Sequence, residues 1–276
     1  MPLAYGLIQP VNLALPGLPQ ALDGLRIAHV TDLHVRRWNR RLSQLVNQLT
    51  SLRLDLVAFT GDYQHLPPHH DAAVEVLQRL TRRLRPSLGC FGVFGNHDEA
   101  PLGPALADLP VRWLDNDAVA LDDRPVEVLG LNQLRGVDPD AVALAIKMGH
   151  RNTPADAPDP PRPAPDRPFR VALCHSPDFA HGLGPLGADL TLCGHTHGGQ
   201  LRWPWRRSLV NSTDLPQWMS SGAFRRDGEL WCISRGLGES GPPFRAWCPP
   251  HVPVYTLRRR TGPTRGGDDF HAVLRW

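Results

Sequence analysis

Five times along the chain, a short apolar run of β-forming residues ends directly on a small polar cluster able to hold a metal. Val30-Thr31 leads to Asp32-Leu33-His34, Phe59-Thr60 to Gly61-Asp62, and Val93-Phe94 to Gly95-Asn96-His97-Asp98. Leu173-Cys174 leads to His175, and Leu192-Cys193 to Gly194-His195-Thr196-His197. In open α/β sheets ligands gather just beyond the carboxyl ends of strands, so five such ends at one rim bring distant residues into one pocket. Gly61, Gly95 and Gly194 each stand just before a ligand, where a tight turn and close backbone approach are expected.

The segments between these ends fit that reading. Leu42, Leu45, Val46, Leu49 and Leu52 repeat at helical spacing over 41–53, and Val74, Leu77, Leu80 and Leu84 mark one face over 71–84. With strands expected at 26–30, 54–60 and 90–94, the first part is an α/β core with parallel pairing. Later apolar runs at 126–131, 170–174, 189–193, 230–234 and 252–257 have few helices between them and predict a second, mixed or antiparallel sheet. Two mixed sheets packed face to face, with helices outside, hold all these elements.

A chain of 276 residues buries one large core, and the pattern reads as a single domain over 1–276. A Pro/Asp/Arg-rich stretch at 153–168 is expected as a surface loop, and 259–276 as a basic tail. The net charge of +3 and a lone lysine, Lys147, give no support to a broad nucleic-acid groove. Five cysteines, four of them in or beside apolar runs, read as core residues in a reducing compartment rather than a disulfide framework. The apolar start carries Pro2, Pro10, Pro16 and Pro19 and no basic leader, so neither a signal peptide nor a membrane helix is expected there. The expected location is cytoplasmic, with peripheral membrane contact left open.

Carboxylate, carboxamide and imidazole together suit manganese, iron or zinc better than calcium, which prefers oxygen alone. Asp62, with two oxygens, is the best candidate to bridge two cations, and water held between such cations becomes a nucleophile near neutral pH. Any one motif alone also fits a turn residue, a helix cap or a solvated histidine. Five in this order do not.

The series resembles the calcineurin-like metallophosphoesterase superfamily, whose pattern runs D-x-H, GD, GNH-D/E, H, GH-x-H. The string from Gly194 to Gln200, with Ser234-Arg-Gly-Leu-Gly238 and Pro243-Phe-Arg245, is similar to a bacterial branch of it. That branch includes membrane-associated phosphodiesterases and UDP-2,3-diacylglucosamine pyrophosphohydrolase-type members. The resemblance implies a four-layer α/β/β/α sandwich and a hydrolytic site with two divalent cations. It assigns Asp32, His34 and His197 to one cation, Asn96, His175 and His195 to the other, and Asp62 to both. It implies that His97 donates a proton to the leaving oxygen or stabilises the transition state. Asp98 is then expected to orient His97, or else to cap a following helix.

Substrate specificity is expected from rim loops. Trp203 and Trp205, interleaved with arginines, are candidates to stack on a base or lie against lipid headgroups; a turn covering the core edge is the competing reading. Arg235 and Arg245 are candidates for a phosphate oxygen. His65, His69 and His70 follow Asp62 and are candidates to line the pocket, with solvated loop residues the favoured reading, and His150, His181, His251 and His271 are expected as surface groups. The leading function is a phosphodiesterase or pyrophosphatase acting on a small or lipid-linked nucleotide. A phosphomonoesterase, a nuclease of the same superfamily and a non-catalytic module on the same fold are the alternatives.

Overall fold

The computed structural model describes residues 7–121, 124–133, 167–183, 186–204, 208–210, 212–226, 228–260 and 271–276. Its elements begin with β1 (Ile8–Pro16), β2 (Arg26–Val30), α1 (Arg40–Thr50), β3 (Leu56–Thr60), α2 (His70–Thr81) and β4 (Gly89–Val93). Then come α3 (Leu102–Leu106), β5 (Arg112–Trp113), β6 (Asp117–Leu121), β7 (Val126–Leu131) and β8 (Phe169–Cys174). The remainder are α4 (Pro177–Gly182), β9 (Leu190–Cys193), β10 (Gly222–Arg226), β11 (Glu229–Ile233), β12 (Val252–Arg260) and β13 (His271–Leu274).

Six strands form the first sheet in the order β1-β12-β2-β3-β4-β5. Strands β2 to β5 run parallel, as the strand–helix alternation predicts, whereas β12 is antiparallel to β2. The second sheet has the order β13-β10-β11-β9-β8-β7-β6. Its centre, β7-β8-β9-β11, is parallel, and β6, β10 and β13 are antiparallel to their neighbours, so the sheet is mixed.

The layers follow from which faces are apolar. Helix α1 starts at Asn39, whose side chain caps Leu42 N at 3.0 Å, and buries Leu42, Leu45, Val46 and Leu49. These pack with α2 residues Val76, Leu77 and Leu80 on the outer face of the first sheet. A second apolar layer, including Ile27, Leu56, Val128, Val171, Leu190 and Leu230, lies between the sheets. A third, with Cys174, Ala180, Cys193, Met219 and Ile233, lines the far face of the second sheet. The result is the expected four-layer order. Burying one leucine fully is worth about 1.5–3 kcal/mol, so these three layers hold the strand ends in place.

Two terminal expectations change. The proline-bearing start is edge strand β1, where Pro10 and Pro16 cost no central ladder bond because one side of the strand is unpaired. The tail is partly ordered too: residues 259 and 260 finish β12, and β13 pairs with β10. The expected loop at 153–168 lies outside the described residues except for 167 and 168.

Candidate metal centre

The expected ligands come from both sheets. Asp32 follows β2, Asp62 follows β3 and Asn96 lies on the turn after β4, while His175 follows β8 and His195 and His197 follow β9. The turns are stitched together by backbone. Asp32 N donates to Gly61 O at 3.0 Å, His34 N to Asp62 O at 3.0 Å and Gly194 N to His175 O at 2.9 Å. The bond from His175 Nδ1 to Thr60 O, 2.7 Å, crosses from the second sheet to the first.

Six side chains then form a continuous chain of facing atoms. Asp32 Oδ1 lies 3.4 Å from His197 Nε2, which is 3.0 Å from His34 Nε2. His34 Nε2 is 3.3 Å from Asp62 Oδ2, and the same oxygen is 3.2 Å from His175 Nε2. His175 Nε2 faces His195 Nδ1 at 3.3 Å. Two groups emerge, Asp32-His34-Asp62-His197 and Asp62-His175-His195, with each group's ligand atoms within 4.8 Å of one another and Asp62 in both. Two imidazole nitrogens at 3.0 Å cannot both carry a proton, and a cation between them satisfies both lone pairs. This donor set therefore fits divalent metals that accept imidazole together with carboxylate.

Backbone geometry singles out the same residues. Asp32, His34, Asp62, His195 and His197 have φ of 50°, 40°, 56°, 67° and 51°. Left-handed backbone costs a non-glycine residue about 1–3 kcal/mol and persists where surrounding structure enforces it, often at functional sites. Gly95 is required by crowding instead: a Cβ there would strike Asp62 Oδ1 and the His175 ring.

Partners behind the ligands select the free nitrogens. His175 Nδ1 donates to Thr60 O, leaving Nε2 free, and His195 Nε2 donates to Ser212 O at 3.2 Å, leaving Nδ1 free. Asp62 Oδ1 accepts His97 N at 2.9 Å, so Oδ2 is the oxygen turned to both groups. Asp32 accepts His195 N at 3.0 Å and the Thr31 hydroxyl at 3.0 Å. Charge follows this arrangement. Burial disfavours ionising Asp62, yet the facing His175 and His34 hold its pKa well below the usual carboxylate range. Burial also opposes charge on His175, but Asp62 and then Asp32 push its pKa up to about 10. Burial, with His175 adjacent, lowers His195 to about 4, and burial with His34 and Arg245 holds His197 well below its ordinary value.

A cavity of about 300 Å³ opens over Asp62, His97, His195 and His197, with Gln200, Leu201 and Pro242 among its walls. The His97 ring meets the His34 ring edge-on at 4.9 Å. Asn96 is exposed on the turn between Gly95 and His97.

Other candidates sit elsewhere. Among the described residues Asp98 makes no hydrogen bond to the His97 ring and caps no helix. Its carboxylate accepts Asp62 N, Gly95 N and Tyr63 N, each at 2.8 Å, because the turn folds the side chain back between strands β3 and β4. Arg235 turns inward to Gln9 Oε1 at 3.1 Å. Arg245 also turns inward, donating to His197 O at 3.1 Å and Arg235 O at 2.9 Å and lying 3.3 Å from His197 Nδ1. Both guanidinium groups are directed into the protein, Arg235 towards Gln9 and Arg245 beside His197. Trp203 is exposed on the rim, and Trp205 lies outside the described residues, as does His150.

His251, expected at the surface, is buried against Ser234, Gln9 and Arg235. His65, partly exposed, packs edge-on against His34 with ring centroids 5.9 Å apart. Tyr63 carries no metal-binding signature, yet its hydroxyl donates to Val93 O at 2.6 Å and accepts Gly61 N at 3.1 Å, fixing the spacing of two motif turns. Gln200 holds the rim, its side chain bonding Ser240 N at 2.9 Å and Pro242 O at 2.8 Å. All five cysteines are free and buried.

With this geometry in hand, similarity to known proteins is informative. The model of the calcineurin-like phosphoesterase family matches residues 25–199. A metallophosphoesterase of Bacillus subtilis, YkuE, is 25% identical over 254 residues, covering 87% of this chain and 82% of that one. UDP-2,3-diacylglucosamine pyrophosphatase LpxG of Chlamydia trachomatis is 26% identical, covering 83% of this chain and 82% of that one. Phosphodiesterase YaeI of Escherichia coli is 28% identical over 65% of this chain and 63% of its own length.

Proposed function

The chain belongs to the calcineurin-like phosphoesterase family and is a phosphoester hydrolase, and on that premise we propose a phosphodiesterase or pyrophosphatase acting on a small or lipid-linked nucleotide. The observation that carries the proposal is the sharing of one oxygen, Asp62 Oδ2, between His34 at 3.3 Å and His175 at 3.2 Å. Two divalent cations, of manganese, iron or zinc, would supply Lewis-acid polarisation of the phosphoryl oxygens and activation of the attacking water.

The chain's own residues divide the remaining work. Asp32, His34 and His197 would hold one cation, Asn96, His175 and His195 the other, with Asp62 serving both. His97 stands on the cavity wall beside Asp62, where a proton held on its ring can pass to the departing oxygen. Thr60 O and Ser212 O keep His175 and His195 in the tautomers that present a lone pair. The part of the substrate that does not react would lie along Gln200, Leu201 and Pro242. The similarity to a diacylglucosamine nucleotide pyrophosphatase makes UDP-linked lipids the first natural compounds to screen.

The test is hydrolysis of bis-p-nitrophenyl phosphate and p-nitrophenyl phosphate by metal-stripped protein resupplied with Mn²⁺, Zn²⁺ or Mg²⁺, with Asp62→Ala as control. Metal-dependent cleavage favouring the diester supports the reading. Faster cleavage of the monoester would replace it with a phosphomonoesterase.

A further inference from the structure

A row of four imidazoles leads away from the metal centre. The His97 ring meets His34 edge-on at 4.9 Å, His65 meets His34 edge-on at 5.9 Å, and the His69 ring lies 5.7 Å beyond His65. Backbone pairing brings a cation to the same place. Val35 pairs with Gln64 in a parallel bridge and His65 N donates to Val35 O at 3.2 Å, which sets Arg36 beside His65. Pro67 and Pro68 stiffen the short turn that carries His69.

These groups are not committed elsewhere. Among the described residues the side chains of Arg36, His65, His69 and His97 make no hydrogen bond or ion pair. Ten buried side-chain N and O atoms have no hydrogen-bond partner among the described residues, and five of them belong to residues 34, 64, 65 and 69. Buried polar groups are as a rule bonded, and this concentration stands beside one half of the metal centre. The local charge is one-sided as well. Residues 33–41 hold four arginines and 63–70 three histidines, with no carboxylate in either stretch. Asp98, next to His97, is turned to backbone N–H groups instead. Burial, then Arg36 and the neighbouring imidazoles, lower the His65 pKa to about 4, so this ring is a neutral hydrogen-bonding group and Arg36 carries the charge.

We propose that Arg36, His65 and His69, with His97 at their inner end, form a subsite for a second phosphate group of the substrate, on the side from which the leaving oxygen departs. A guanidinium fork and imidazole N–H groups match the oxygens of a tetrahedral anion. His97 stands where the proton passes to the departing oxygen, so a group held beyond it belongs to the departing half. In a nucleotide substrate the anion next to the scissile phosphorus is another phosphate, joined through one bridging oxygen. The inference rests on the phosphoester reading and deepens it: residues 36, 65 and 69 make the cleft favour two adjacent phosphates over a plain diester.

The experiment uses UDP-glucose, a soluble pyrophosphate diester, with uridine as the phosphate-free control. Histidine ring C–H resonances of the metal-stripped protein are followed by NMR during titration with each compound. The His65 and His69 signals are expected to shift saturably with UDP-glucose and to stay in place with uridine. Arg36→Gln is expected to raise the UDP-glucose dissociation constant at least tenfold with the melting temperature unchanged. With Mn²⁺ restored, His65→Ala is expected to lower kcat/KM for UDP-glucose at least tenfold more than for bis-p-nitrophenyl phosphate. Unmoved signals, equal shifts with uridine, or equal kinetic losses on the two substrates overturn the subsite. Where any of these accompanies metal-dependent diester hydrolysis by the wild type, the proposed function still stands. Saturable shifts in protein that hydrolyses neither compound keep the subsite and remove the proposed activity instead.

Discussion

The Asp98 carboxylate accepts the backbone N–H of Asp62 at 2.8 Å, although 36 positions separate the two residues in sequence. With Gly95 N and Tyr63 N bound as well, one buried side chain clamps the turn that follows β3 to the turn that follows β4. Burial and the charge of Asp62 push its pKa up to about 7.

Asp98→Ala should therefore act on structure and metal together. Each buried N–H left without a partner costs about 1–3 kcal/mol, so a drop of several degrees in melting temperature is expected. Metal affinity should fall by about 10–100-fold, the usual effect of losing a supporting partner. Calorimetric titration with Mn²⁺ and a thermal melt check both. Loss of turnover with metal affinity and melting temperature intact would restore the role of orienting His97.

His97→Ala should separate chemistry from binding. Turnover is expected to fall by about 10²–10⁴-fold, as for a lost proton donor, with bound metal unchanged. Elemental analysis of the purified variant alongside its kinetics tests this. Wild-type turnover would remove His97 from the reaction.

Metal uptake should release a proton. His175, raised to about 10 by Asp62 and Asp32, carries a proton at neutral pH in metal-stripped protein, whereas a metal ligand must be neutral. Raising the pH towards 10 thus removes a competing proton, and lowering it weakens metal binding by up to about tenfold per unit. His195, near 4, adds no such dependence in the neutral range. Titrations in buffers of different ionisation enthalpy count the proton, and a pH-independent affinity between 6 and 9 would contradict the assignment.

Arg245→Met should weaken the cation held by His197 more than its neighbour. The guanidinium donates to the carbonyls of His197, Arg235 and Gly238, and methionine leaves all three without that donor. A two-phase metal titration in which one phase is weakened by about 10–100-fold and the other is unchanged is the expected result. Equal loss in both phases would mean a general packing defect.

The strand ends, the ligand-bearing turns and the shared Asp62 were readable because each depends on local order: an apolar run, a glycine or turn, then a ligand. Support from behind the site was not. Asp98 follows His97 in sequence, and only the fold shows its carboxylate directed to the Asp62 turn. Arg235 and Arg245 carry the right chemistry for phosphate, yet chain direction at 235–245 turns both inward. Tyr63 and Ser212 serve through a hydroxyl or a carbonyl, which any sequence offers many times. Edge strand β1 was hidden by its prolines, which edge pairing tolerates.

The measurement that tests the account most directly is the number of divalent cations bound per folded chain, read together with diester hydrolysis. Metal-stripped wild-type protein should take up two Mn²⁺ as bis-p-nitrophenyl phosphate hydrolysis appears. Asp62→Ala, lacking the carboxylate common to both groups, should hold neither cation tightly and remain inactive. Full hydrolysis with a single cation, or two tightly held cations in Asp62→Ala, would contradict a centre built around one shared oxygen.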